Sequence, residues 1–206
     1  MEINTLRKAV DELTAENVLV RQQGRGTYVS SHGRGSYFFA FFHIVRQDGL
    51  REFPMVELLA FERGEADEDA ATALKIRPGD PIFRFVNRLA LQGRPTLLDE
   101  IKIPVAVAPD LSETMLRRRQ STIYQLYQEE FNVSVIRTSD RLRATSADST
   151  RATRLNVAPG HPLLLVVRLA MSFGDNPVEL RHSYVNTDLH EYCSDEFHQD
   201  GHLMST

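Results

Sequence analysis

Arg88 is the residue whose type and setting most demand a chemical explanation. It stands mid-run among Phe85, Val86 and Leu89, in a segment with strand character. A guanidinium on a largely buried strand needs an anionic partner. Two partners are open. One is a structural ion pair with Asp99 or Glu100 of the next segment. The other is a bound carboxylate or phosphate, which arginine holds through two parallel N–H donors. A second chemical feature is the basic glycine turn Gln23-Gly24-Arg25-Gly26, with Arg21 just before it. Glycines there allow a close approach of backbone to a phosphate, and Arg21 and Arg25 would face it. Ahead of the turn lies a helical segment whose start carries Asn4, Thr5 and Arg7, residue types that reach base edges in a major groove. An ordinary surface helix and hairpin would have the same spacing. The tail holds His190, Cys193, Asp195, His198 and His202. Their gaps resemble metal-ligand spacing but are too short for a zinc-finger unit, so a polar tail is expected and no metal or cofactor. No H-E-x-x-H, G-x-S-x-G, phosphate-loop or dinucleotide fingerprint occurs, and no enzyme is expected.

These residues need a scaffold. The chain has 206 residues, 42% of them hydrophobic, enough for a substantial core. The net charge of −4 argues against a non-specific nucleic-acid binder but leaves room for a local basic patch. A single cysteine, Cys193, excludes an intrachain disulfide and suits a reducing cytoplasm. No apolar run is long enough to span a bilayer, and no membrane partner is expected.

Leu6, Val10 and Leu13 fall at helical spacing, and Asn17 ends that run. Val18 to Val20 and Thr27 to Val29 are β-favouring segments flanking the glycine turn. The Gly/Ser stretch 31–36 reads as a linker. Beyond it the chain repeats at an offset of 81 residues: Ala66/Ala147, Asp67/Asp148, Leu74/Leu155, Pro78/Pro159, Gly79/Gly160 and Pro81/Pro162 are identical pairs. Each unit predicts strand, short helix, Pro-Gly turn, strand, hairpin, strand. The first comprises Met55–Phe61, Ala66–Lys75, Ile82–Leu91 and Thr96–Ile103. The second comprises Val133–Ala144, Asp148–Leu155, Leu163–Phe173 and Val178–Val185. A helical insert, Asp110–Arg118 and Ser121–Phe131, separates them. Two such units are expected to pair edge to edge into one antiparallel sheet with helices on one side, an α+β domain with internal pseudo-symmetry.

The run T-L-R-K-A-V-D-E-L-T-A-E-N-V-L-V-R-Q-Q-G-R-G-T-Y-V resembles the end of the winged-helix domain of GntR-type transcription regulators. The resemblance assigns DNA contact to Thr5 and Arg7 in the recognition helix, beside Asn4 at its start, and to Gln23, Gly24 and Arg25 at the wing tip. Glu2 and Ile3 stand where the family has Ser-Arg, and the two preceding helices have no counterpart. The partial winged helix is therefore expected to be poorly stable alone; a cooperative circular-dichroism melt of residues 1–36 would contradict that. Further on, L-x-I-x-P-G-D-P, G-R-P-T-L-L-D-E-I-K-I-P, S-T-I-Y-Q-L, P-G-H-P-L-L and N-P-V-E-L-R-H-S-Y-V-N-T-D are similar to the UTRA effector domain of the HutC branch, which has a chorismate-lyase-like fold. The resemblance implies residues 1–30 as a partial DNA-binding head, 31–36 as linker and 37–206 as effector-binding and dimerisation domain. It implies a ligand pocket lined by Arg88, Asp99, Thr122, Glu179 and Tyr184. Ala90 replaces a second arginine of the family's R-x-R strand, which weighs against a phosphosugar; Arg141, Arg143 or Arg181 could replace it. The implied function is a ligand-responsive repressor, a cytoplasmic homodimer that binds operator DNA and an anionic small molecule. A chorismate-lyase-like enzyme and a headless ligand-binding module are the alternatives.

Overall fold

The computed structural model describes residues 3–15, 19–22, 26–29 and 41–194. The N-terminal part contains helix α1 (Ile3–Ala15) and strands β1 (Leu19–Gln22) and β2 (Gly26–Val29). β1 and β2 pair antiparallel from Leu19↔Val29 to Gln22↔Gly26. The helix–strand–strand order expected from the sequence is present. Gln23, Gly24 and Arg25 lie outside the described residues, as do Asp195, His198 and His202 of the tail.

The remaining elements are β3 (Ile44–Arg46), β4 (Met55–Glu65), α2 (Glu68–Leu74), β5 (Pro81–Leu91), β6 (Arg94–Pro104), α3 (Glu113–Arg118), α4 (Ile123–Phe131), β7 (Arg137–Ser146), α5 (Ser149–Leu155), β8 (Pro162–Ser172), β9 (Asn176–Val185) and β10 (His190–Tyr192). Six of the strands form one antiparallel sheet in the order β4-β5-β6-β9-β8-β7. The repeat units are its two halves. They meet at β6 and β9, where Leu98 faces Tyr184 and Asp99 faces Ser183. β3 and β10 form a separate two-stranded ribbon.

The repeat extends to the atoms that start and stop the helices. Asp67 caps α2 by accepting from Ala70 N, and Asp148 caps α5 by accepting from Arg151 N. Lys75 and Asn156 close the same helices in the left-handed conformation. Gly79 and Gly160 follow with φ of +84° and +83°, and their amides bond Ala66 O and Ala147 O at 2.9 and 2.7 Å. Only glycine adopts that backbone without strain. Asp67→Ala and Asp148→Ala are each expected to cost about 1 kcal/mol, measurable as a lower urea midpoint.

One expectation about the layers is corrected. Helices cover both faces of the sheet. α2 and α5 bury Ala70, Ala71, Leu74, Ala152 and Leu155 against Ile82, Leu98, Leu165 and Leu180. The insert buries Leu116, Ile123, Tyr124, Leu126 and Tyr127 against Phe83, Phe85, Ile101 and Ile103. Adjacent strand residues such as Ile82 and Phe83 point to opposite faces. The apolar side of the insert therefore found a free apolar surface opposite the face that α2 and α5 had filled. A boundary is corrected too. The strand expected to begin at Val133 begins at Arg137. Asn132 ends α4 with φ +54°, and Val133 N returns to Tyr127 O at 3.1 Å, so this stretch serves as the helix stop.

Candidate effector cavity

The face under the insert carries the buried charges. Strand register lines up Asn87, Asp99 and Ser183 in one row across β5, β6 and β9. The neighbouring row runs Phe85, Ile101, Arg181, Arg168 and Asp140. Arg181 Nε donates to Glu179 Oε1 at 2.9 Å and its Nη1 to Asp99 Oδ2 at 3.1 Å. Ser183 Oγ donates to Asp99 Oδ1 at 2.6 Å. Tyr127 and Tyr124 donate to Glu179 at 2.7 and 3.3 Å. Glu179 is fully buried in this network. Burial, reinforced by the Glu179 charge, pushes the Tyr124 hydroxyl up to about 12.

Arg168 forms a second network. Its Nε and Nη2 donate in parallel to Asp140 Oδ1 and Oδ2 at 2.8 and 2.7 Å, and its Nη1 donates to Phe41 O. The Tyr192 hydroxyl donates to the same Asp140 carboxylate at 2.6 Å. Burial acts to raise the Asp140 carboxyl, but the Arg168 and Tyr192 contacts outweigh it and hold it below its ordinary range. The ribbon β3–β10 is thus tied to the sheet through Tyr192 and the Asp140–Arg168 pair.

Above these rows lies a cavity of about 860 Å³. Its floor is Asn87, Leu89, Asp99, Arg168 and Arg181. Its roof is the α3–α4 junction from Arg119 to Tyr124, and Phe41, Phe53, Met55 and Leu58 supply apolar wall. The volume and mixed lining suit a small-molecule site. Arg119 donates to Leu116 O at 2.7 Å, and no carboxylate lies within ion-pair distance of it among the described residues. Burial lowers its pKa. Asn87 is 3% exposed, and its Oδ1 has no hydrogen-bond partner among the described residues.

The five residues assigned by resemblance are divided by the sheet. Asp99 and Thr122 line the cavity, Thr122 also capping α4 by accepting from Gln125 N. Glu179 lies beneath it and holds Arg181. Arg88 and Tyr184 stand on the opposite face, in register with Leu98. Arg88 binds Glu57 Oε2 through Nε and Nη2 at 3.1 and 2.5 Å and reaches Arg154 O of α5. Its partner is thus a carboxylate of the preceding strand, neither Asp99 nor Glu100. The Tyr184 ring lies 3.8 Å beneath the Arg151 guanidinium of α5. Of the candidate replacement arginines, Arg181 reaches the cavity, whereas Arg141 and Arg143 are exposed on edge strand β7. Thr5 and Arg7 are exposed on α1, and Asn4 belongs to the same helix. Sequence reasoning missed Arg119, Arg168, Asp140 and Asn87. Arg168 had a signal: it opens the second of the two Arg-Leu-Ala triplets, the first of which opens at Arg88.

A pseudo-symmetric antiparallel sheet with a charged cavity under a helical insert defines an effector-binding domain. Residues 51–191 match the model of the UTRA domain, and the chain belongs to that family of GntR-type, HutC-branch regulators. It is 26% identical over 182 residues, 85% of this chain and 72% of the relative, to the "Probable fructoselysine utilization operon transcriptional repressor" of Escherichia coli (strain K12). It is 27% identical over 176 residues, 84% of this chain and 68% of the relative, to the histidine utilization repressor of Pseudomonas putida. Among solved structures it resembles the ligand-binding domain of a GntR-family regulator from Bordetella bronchiseptica, with TM-score 0.72, 29% identity, 75% of this chain and 96% of that one covered. No helix among the described residues is long and apolar enough to cross a membrane.

Proposed function

We propose that the chain is a metabolite-responsive transcriptional repressor that senses a small molecule in the cavity beneath the α3–α4 junction. The observation that carries this reading is the coincidence of the UTRA match with a cavity that combines buried charges and apolar wall. Residues 1–30 supply part of a winged helix, with Asn4, Thr5, Arg7, Gln23, Gly24 and Arg25 toward operator DNA. Residues 31–36 link it to the sensing domain, residues 37–206. That domain dimerises in the cytoplasm, so two heads meet a palindromic site. Asp99 and Thr122 contact the effector directly, and Glu179 acts through Arg181. An effector that prefers one arrangement of the domain shifts DNA affinity, and DNA shifts effector affinity equally.

The test is a gel shift with the intergenic DNA upstream of the coding region, comparing this chain with an N-terminally extended version. The extended version is expected to retard the DNA and to release it when the effector is added. Failure of the extended version to retard any neighbouring DNA would overturn the reading.

A further inference from the structure

We propose, resting on the sensing function above, that the effector is an amino carboxylate: one carboxylate held by Arg119 and one ammonium held by Asp99 and Asn87, on a partly apolar body. The argument is the balance of charge in the cavity. Arg168 is matched by Asp140 in a two-pronged pair, and Arg181 by Asp99 and Glu179. Arg117, at the edge, is matched by Glu113. Arg119 is the cavity-lining arginine left without a carboxylate among the described residues, so it calls for a single negative charge from the ligand.

A dianionic phosphate fits poorly. It would find one uncommitted guanidinium and would come to rest among Asp99 and Glu179, whose charges act on Arg119 in this same space. A simple cation would leave Arg119 unmatched. On the floor the demand is for a donor. Asn87 Oδ1 is buried and has no hydrogen-bond partner among the described residues, so it calls for a donor. Its cross-strand neighbour Asp99 accepts from Ser183 and Arg181 and retains lone pairs for a third donor. An ammonium satisfies both residues, and its charge is favoured by the carboxylate. The aromatic and aliphatic wall of Phe41, Phe53, Met55, Leu58 and Leu89 takes the remainder of the molecule.

Calorimetry and thermal shift on the full chain would use these probes: the standard L-amino acids, ω-amino carboxylates of increasing length, the amide and hydroxy-acid counterparts of any binder, glucose 6-phosphate and inorganic phosphate. At least one amino carboxylate is expected to bind. Amidation of its carboxylate, or replacement of its ammonium by hydroxyl, should each weaken binding about tenfold or more. Arg119→Gln should abolish the discrimination against the amide while leaving the melting temperature of the unliganded protein near its original value, since no ion pair is broken. Binding of glucose 6-phosphate or phosphate in preference to every amino carboxylate would overturn the proposal. So would silence of all amino carboxylates at millimolar concentration, or an unchanged amide preference in Arg119→Gln. Release of operator DNA by a hexose phosphate would remove this ligand class and leave sensing intact. Lack of release by any probe or by a low-molecular-weight cell extract would remove the sensing function itself.

Discussion

Replacing Glu179 by alanine is expected to destabilise the protein by about 3–5 kcal/mol. The carboxylate is fully buried, and it is held by the buried Tyr124 and Tyr127 and by Arg181, whose side chain is 13% exposed. Its removal leaves Arg181 with Asp99 at 3.1 Å as its remaining carboxylate among the described residues, and takes the Glu179 acceptor away from the hydroxyls of Tyr124 and Tyr127. A buried charge that loses a partner costs more than the pair contributed in the first place. The loss of this charged acceptor at each hydroxyl adds a further cost. Glu179→Gln keeps an acceptor for a tyrosine and fills the same volume, so its loss should be smaller. Urea unfolding at neutral pH measures both. A loss below about 1 kcal/mol for Glu179→Ala would mean that water or Asp99 compensates Arg181, against the geometry described. In Glu179→Gln the Tyr124 hydroxyl should also titrate closer to its ordinary range, because the neighbouring negative charge is gone while the burial remains.

Much of this architecture was legible in the sequence because it is written in local signals. The Pro-Gly turns, the capping Asp67 and Asp148 and the apolar spacing of the short helices recur at one offset, and each has a local physical cause. The edge-to-edge pairing of the two halves followed from that repetition. What the sequence did not reveal is which way each strand residue points. A sheet covered on both faces buries both sets of side chains, so its strands lose the alternation of apolar and polar that marks an inward face. β5 shows the consequence. Phe85 is buried toward the insert, while Val86 packs toward α5.

Arg88 and Arg168 illustrate the same limit. Both open an Arg-Leu-Ala triplet, but they are 80 residues apart and the structural repeat is 81. A slip of one residue reverses the face. Arg168 thus enters the cavity side and meets Asp140, while Arg88 meets Glu57 and α5. Arg119 and Asn87 belong to no recognisable motif. Their significance comes from what surrounds them among the described residues: a guanidinium without a carboxylate and an amide oxygen without a donor. Asp99 and Thr122 were legible only through the family resemblance, since no spacing rule connects a mid-strand carboxylate with the cap of a helix in the insert.

Asp140→Asn is expected to cost a comparable amount, about 3–5 kcal/mol at neutral pH, with a pH dependence that identifies its cause. Arg168 and Asp140 are about nine-tenths buried and share two parallel hydrogen bonds. The amide removes the negative charge and one of the two acceptors, so Arg168 keeps the amide oxygen and Phe41 O but loses its ion pair. Tyr192 keeps an oxygen to donate to but loses the charge that strengthened the bond. The folded carboxyl of Asp140 lies below its ordinary range. Its contribution is therefore fully present above the unfolded carboxyl pKa, near 3.9, and is lost as the pH falls through the lower folded value. The gap in stability between the original protein and Asp140→Asn should be widest at neutral pH and should narrow on acidification below the ordinary carboxyl range. A gap that stays constant would assign the loss to packing instead of charge. The double variant Asp140→Asn with Arg168→Met should be less damaged than the sum of the single changes, because it removes the stranded charge together with its partner. Phe41 and Tyr192 belong to the segments that flank the sheet at either end of the domain, and both are held through this one ion pair. In Asp140→Asn, proteolysis should therefore reach the β3–β10 ribbon before it reaches the six-stranded sheet.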